Sequence, residues 1–318
     1  MATQLHIVSG KGGTGKTTVA AALAMALAGR NRRVLLVEVE GRQGIAQLFD
    51  VPPLTYDEQQ IAVGLDGGAV YGLSVEAEAA LLEYLQMYYR LGRAGKALDK
   101  FGVIDFTTTI APGLRDVLLT GKVYEAARRL NNDGYLYDAI VVDAPPTGRI
   151  TRFLNVNTEV AGLAKVGPIK KQADSIMTMM RAPSTRVHLT TLLEPMPTQE
   201  TLDAIAELKK ERLPVGHIII NRTRTPMLSQ SERSKVSNKK ISANKIGSIL
   251  ETVNVASRYA PELLAEGRAH VERLDLEDEQ REVLRGGSRP TVELPEIDEG
   301  IDLAALFDLA QRLKQVGP

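Results

Sequence analysis

Cysteine is missing from all 318 residues, which excludes disulfides, thiolate zinc sites, iron–sulfur clusters and soft capture of thiophilic metalloids. Net charge is missing as well. The 39 basic residues face 39 acidic ones, so no overall field draws the chain onto nucleic acid or an anionic membrane. No apolar run approaches the roughly 20 residues of a spanning helix. The opening "MATQLHIVSG" reaches glycine too soon for a signal peptide, and the expected location is cytoplasmic. The four histidines, His6, His188, His217 and His270, lie far apart in sequence and suggest no metal cluster.

What is present is a repeated pattern of short β-branched runs, each followed by helical sequence. They are "LHIVS" (5–9), "VLLVEV" (34–39), "AVYGLSV" (69–75), "AIVVD" (139–143), "VHLTTLL" (187–193), "HIIIN" (217–221) and "TVELP" (291–295). Continuous apolar strands alternating with helices predict an α/β fold with a doubly wound, mostly parallel sheet covered on both faces. Ligands of such sheets lie beyond the carboxyl ends of the strands, where Gly10, Glu40, Asp143 and Asn221 fall. The chain reads as one domain over 1–318 with a helical insertion at 76–130. Residues 225–289 open on a serine-rich, basic stretch, which predicts a partly mobile polar segment followed by helices.

Gly10–Thr17 match G-x-x-x-x-G-K-[ST] between an apolar strand and an alanine-rich helix, the context a phosphate loop requires. Backbone N–H groups of Gly10, Lys11, Gly12, Gly13, Thr14 and Gly15 are expected to curl around the phosphates. Lys16 reaches the β and γ phosphates, the Thr17 hydroxyl ligates magnesium, and Thr18 donates to the α phosphate. The implied ligands are ATP and Mg²⁺. Asp143, behind four apolar residues, is expected in the second shell of the magnesium. Pro145, Pro146 and Gly148 predict a stiff turn that senses the γ phosphate.

The second residue of "GKGGTGKTT" is a further lysine, Lys11. This loop resembles the deviant phosphate loop of the dimeric ATPases that include ParA and MinD proteins, nitrogenase iron protein and the arsenite-pump ATPases, a SIMIBI-type fold. The resemblance implies that Lys11 crosses a dimer interface to the partner's nucleotide, acting as an arginine finger does. The alternative is a solvated loop lysine. "DAPPTGRITRFL" (143–154), "APGLRDVL" (111–118), "EPMPTQETLDAIAELKKERLPVGHIIINR" (194–222) and "ELPEIDEGIDLAAL" (293–306) are similar to segments of the arsenite-pump and tail-anchored-protein-targeting ATPases. Together they span nearly the whole chain, which looks closest to a single-domain actinobacterial branch. By this resemblance Asn221, with Arg222 beside it, recognises adenine, and the Pro295–Ile297 loop packs against the base.

The sequence departs from that pattern in switch I, where Glu40 and Gln43 stand for an aspartate that aligns the attacking water and a histidine. Moving a carboxylate by about 1 Å costs on the order of a hundredfold in rate, so slow hydrolysis is expected. Glu38, on the same strand, reads as a solvated strand-end charge, and Arg149 and Arg115 as surface ion-pairing residues. The paired cysteines of the zinc-clamped relatives are absent, so zinc is not implied. A second chain must complete the site, either as a homodimer or as a heterodimer with a paralogous ATPase.

The expected activity is ATP hydrolysis catalysed by Lys11, Lys16, Glu40 and Asp143, with dimer closure coupled to a membrane-protein client or transporter. Two alternatives stand: a nucleotide-gated interaction protein with negligible hydrolysis, and a ParA- or MinD-like positioning ATPase, for which there is no strong nucleic-acid signal. "SIMTMM" (175–180) and "LLEYLQMYY" (81–89) suit either a client groove or the core, with the core favoured. The apolar face of "IDLAALFDLAQRLKQV" suits a membrane-targeting helix of the MinD kind or docking on the sheet, and its few basic residues favour docking.

Overall fold

A computed structural model describes residues 3–89, 112–132, 134–156, 168–287, 289–298 and 300–314. Its centre is an eight-stranded sheet in the order β10-β9-β8-β1-β7-β2-β4-β3. The strands are β1 Gln4–Gly10, β2 Arg33–Glu38, β3 Gln59–Val63, β4 Ala69–Ser74, β7 Ala139–Asp143, β8 Thr185–Thr191, β9 Val215–Thr223 and β10 Thr291–Pro295. All neighbours are parallel except β3, which pairs antiparallel with β4. The inner strands read as unbroken apolar runs because both sides of each are covered; every residue of β7 is buried.

Two apolar layers result. On one face Val8, Leu36, Val70 and Val141 pack under helix α1 (Lys16–Leu27) and the C-terminal helix Leu303–Leu313. Alternation sends Ile7, Val37, Val142 and Leu189 to the opposite face, under the helices Pro112–Arg128, Thr147–Leu154, Pro168–Met180 and Pro195–Lys210. α1 shows no single apolar stripe, because Val19 through Met25 are buried all round between the sheet and the C-terminal helix. Its alanines allow that close approach.

Two features lack the continuous apolar pattern and escape the sequence reading. β3 is a partly exposed antiparallel edge, and β5 Leu130–Asn131 with β6 Gly134–Tyr135 forms a small exposed hairpin. The 76–130 region contributes the helices Ala77–Tyr89 and Pro112–Arg128, with residues 90–111 outside the described set. Ile176, Met177 and Met180 of "SIMTMM" are core residues, whereas the side chains of "LLEYLQMYY" from Tyr84 onward lie outside the described residues.

The 225–289 region carries the helices Gln230–Ser237, Ala243–Thr252 and Ala260–Gly286. The first opens with a reciprocal Ser229/Glu232 capping box. Its Arg233 grips Asp275 and Asp278 of the long helix, both at 2.7 Å. In the C-terminal helix Leu306, Leu309, Ala310 and Leu313 are buried, while Leu303 is exposed.

Candidate nucleotide site

β1 ends at Gly10, where any Cβ would overlap the carbonyl oxygen of Thr190 on the adjacent strand. The chain then turns, with the Thr14 hydroxyl donating to the Lys11 carbonyl at 2.8 Å. Gly15 caps α1 in the left-handed region at φ 85°, a conformation that costs other residues about 1–2 kcal/mol. No side chain caps this helix, so its first N–H groups are free to face an anion. The geometry is that of a phosphate-binding loop.

Thr17 donates to Asp143 Oδ2 at 2.7 Å, joining the start of α1 to the end of β7. Asp143 is only 8% exposed, and burial pushes its carboxyl up to about 6 despite the Thr17 hydrogen bond and the Lys16 charge. Its second oxygen, Oδ1, has no partner. The residue paired with Asp143 on β2 is Glu38.

Glu38 overturns the expectation of a solvated strand-end charge. It is 2% exposed, on the α1 face with Leu36, because the loop leading into helix α2 (Gly44–Leu48) folds over the end of β2. The Gly44 N–H donates to Glu38 Oε1 at 3.2 Å, and Oε2 is unpartnered. Burial raises its pKa, opposed by backbone N–H groups of Gly44, Arg42 and Gln43. Polar spacing alone did not reveal this, because the cover comes from residues further along the chain.

Glu40 and Arg149 meet across a cleft of 620 Å³ that Arg42, Arg115 and Asp116 also line. Arg149 Nη1 lies 3.9 Å from Glu40 Oε1, its Nη2 3.9 Å from Asp116 Oδ1, and Arg42 Nη2 3.5 Å from Glu40 Oε2. Arg149, expected as a surface ion-pairing residue, thus bridges the two walls of this cleft. Gln43, at φ 56°, exchanges two hydrogen bonds with the Leu54 backbone and anchors the loop. Of the stiff turn expected at Pro145, Pro146 and Gly148, the prolines precede the helix Thr147–Leu154, with Pro146 as its N-cap, while Gly148 lies exposed in the first turn of that helix.

Lys11 lies beside its own chain's Glu200, Nζ to Oε1 3.0 Å, and Glu200 Oε2 accepts from Thr147 at 3.2 Å. Glu200 was not singled out in the sequence; its side chain reaches the loop only because the helix Pro195–Lys210 starts at the same sheet edge.

At the far side of the loop the buried Asn221 donates to the Thr14 carbonyl at 2.9 Å and lies so close to Gly15 that a Cβ there would strike its amide nitrogen. Arg222, at φ 56°, pairs with Glu296 at 2.9 Å, between Pro295, which is in register with Thr223, and Ile297. Ile297 packs on the apolar layer around α1. The adenine candidates therefore converge on one edge of the phosphate loop, and the magnesium candidates on the other.

Three of the histidines, distant in sequence, meet on the α1 face of the sheet. His6 Nδ1 and His188 Nε2 are 3.0 Å apart, and His188 Nδ1 accepts the His217 N–H at 3.1 Å. Burial lowers all three pKa values, His6 to about 4. Among the described residues no group of three or more histidine, aspartate or glutamate side chains has the arrangement of a metal-binding cluster, and no helix is long and apolar enough to cross a membrane.

Residues 3–190 match the anion-transporting ATPase family. The chain is 49% identical over 317 residues to ATPase BagA of Mycobacterium tuberculosis, covering 99% of this chain and 93% of that protein. It is 26% identical over 213 residues to ATPase get3 of Neurospora crassa, covering 65% and 60%. An ATPase ASNA1 homolog of Entamoeba dispar is 25% identical over 264 residues, covering 67% and 74%. With a phosphate loop, an acidic strand end beside it and a parallel sheet to hold both, the chain belongs to the anion-transporting ATPase family.

Proposed function

We propose that this chain binds MgATP and hydrolyses it as a dimer, using closure of the dimer to handle a membrane-protein client or to serve a transporter in the cytoplasm. The observation that carries the reading is the pairing of an uncapped, glycine-lined helix start with Thr17 and Asp143, a hydroxyl and a carboxylate joined to each other with one carboxylate oxygen still free. Hard oxygen donors of this kind suit magnesium, which Thr17 would hold and Asp143 would orient. When bound, the ion neutralises charge on the β and γ phosphoryl oxygens.

The remaining work falls to the chain. Lys16 cradles the phosphates, N–H groups of residues 10–15 hold the triphosphate, and Asn221 with the Arg222 and Pro295–Ile297 region receives adenine. Glu40 aligns the attacking water, and Lys11 of a second copy or a paralogous chain meets the developing charge. For that, Lys11 must leave Glu200. The get3-named relative supports the client reading by likeness alone.

Hydrolysis is slow in this scheme because Glu40 is drawn toward Arg42 and Arg149. The same observation favours the second reading, a nucleotide-gated interaction protein whose closed state is its output. Steady-state turnover separates the two. Under the first, Lys16→Ala loses at least about a hundredfold in turnover and Glu40→Asp does not exceed wild type. Wild type that barely turns over, with a faster Glu40→Asp, leaves the second.

A further inference from the structure

Three buried polar side chains, each with one oxygen that lacks a hydrogen-bond partner, stand in one row across the sheet. Glu38 on β2 is in register with Asp143 on β7 and, on its other side, with Ser74 on β4. Registered residues of a parallel ladder share a face, and neighbouring strands lie about 4.8 Å apart. The row therefore runs beneath the start of α1, where Thr17 already reaches Asp143. Ser74 is fully buried, Glu38 2% and Asp143 8% exposed. Ser74 Oγ, Glu38 Oε2 and Asp143 Oδ1 all lack hydrogen-bond partners.

The described chain compensates this arrangement only in part: the Thr17 hydrogen bond and the Lys16 charge favour ionised Asp143, and backbone N–H groups of Gly44, Arg42 and Gln43 favour ionised Glu38. Among the described residues no lysine, arginine or histidine forms a salt bridge with Glu38 or with Asp143. Burying one unpaired carboxylate costs several kcal/mol, and placing a second beside it adds repulsion, so the pair calls for a cation from outside. A divalent ion with oxygen ligands meets that need, because the open positions on the adjacent strands β2 and β7 are two carboxylate oxygens, with the Thr17 hydroxyl already on Asp143. The other oxygen of Glu38 is committed to the Gly44 N–H, at the entrance of α2, and Gly44 itself abuts the Thr17 side chain.

We propose that Glu38 is a second carboxylate of the divalent-cation site served by Thr17 and Asp143, and that it ties that site to the 39–44 loop through its other oxygen. The inference rests on the MgATP reading above, and it adds a positioning residue that the sequence had set aside. Cation loading and the position of Glu40 are thereby linked, since Glu38 and Glu40 flank Val39 on the same short segment.

Binding of Mn²⁺ to the full chain, with a non-hydrolysable ATP analogue present, tests this through the electron paramagnetic resonance signal of the free ion. Glu38→Gln keeps the shape and the Gly44 hydrogen bond while removing the charge. The expected result is a rise of about 10–100-fold in the Mn²⁺ dissociation constant, with analogue binding in EDTA within about twofold of wild type. Unchanged Mn²⁺ affinity overturns the proposal and leaves Glu38 a loop anchor. Wild type that takes up no Mn²⁺ with the analogue overturns the MgATP reading and this inference with it. Should Glu38→Gln not fold, Glu38→Asp, one carbon shorter, is expected to weaken Mn²⁺ by a smaller factor, and an unchanged constant again refutes the role.

Discussion

Lys11 offers the sharpest test of whether one chain can finish its own site. Its ammonium sits 3.0 Å from Glu200, with the two side chains 30% and 36% exposed. An exposed pair of this kind contributes about 0.2–1 kcal/mol. Lys11→Ala is therefore expected to shift the stability of the chain by less than about 1 kcal/mol and to leave ATP binding by Lys16 and the loop intact. If Lys11 serves a partner's nucleotide as a trans-acting cation, its loss removes about 10³–10⁵ in rate, or about 4–7 kcal/mol of barrier. The two magnitudes do not overlap. Mixing makes the test independent of any single variant: Lys11→Ala and Lys16→Ala are each dead alone, but a dimer of one with the other has one complete site, built from the first chain's Lys16 and the second chain's Lys11. Random exchange at equal amounts makes half the dimers mixed, each with one working site of two, so about a quarter of wild-type turnover should return. Phosphate release is the assay, with subunit exchange followed by fluorescence transfer between labelled chains. A mixture that exchanges but stays inactive refutes action in trans, and Lys11→Ala within about fivefold of wild type refutes any role in hydrolysis.

The histidine row predicts an acid-sensitive core. His6, at about 4 in the folded chain against an ordinary 6.5, stays neutral while the unfolded chain takes up a proton, so its contribution is present above pH 6.5 and is lost as pH falls toward 4. The loss reaches about 2 kcal/mol by pH 5 and about 3 in full. Asp143, raised to about 6, acts with the opposite sign, its protonated form being favoured in the fold. Urea midpoints at pH 7.5 and 5 should therefore be compared between wild type and His6→Gln, which flattens the fall if the ring is responsible. Asn221→Ala, which removes the bond to the Thr14 carbonyl, is expected to weaken ATP by about tenfold, or about 1.4 kcal/mol. Unchanged affinity by calorimetry would take Asn221 out of the nucleotide site. Gly15→Ala places a side chain at φ 85° and against Asn221, and should abolish nucleotide binding while far-ultraviolet circular dichroism stays that of a folded protein. Retained binding would mean that the loop relaxes freely.

What was legible in the sequence was whatever the chain encodes locally. "GKGGTGKTT" carries its own geometry, since glycines, lysine and hydroxyl act within a single turn, and the inner strands declare themselves because burial on both faces makes them continuously apolar. β3 stayed hidden for the converse reason: a half-exposed edge carries glutamines, and "QQIAV" has no unbroken run to find. The error at Glu38 is more instructive. A charge at the end of a strand reads as solvated, yet Glu38 is 2% exposed. Its burial is decided by Gly44, six residues on, and its neighbours by the register of β2 with β4 and β7, which bring Ser74 and Asp143 alongside. The same holds for Glu200 against Lys11, and for three histidines that looked scattered and yet lie on adjacent strands. Residues that act through backbone or through their immediate neighbours can be read from one sequence. Those whose role depends on which strand lies next to which cannot, and in this protein they include Glu38, the second carboxylate proposed for the cation site.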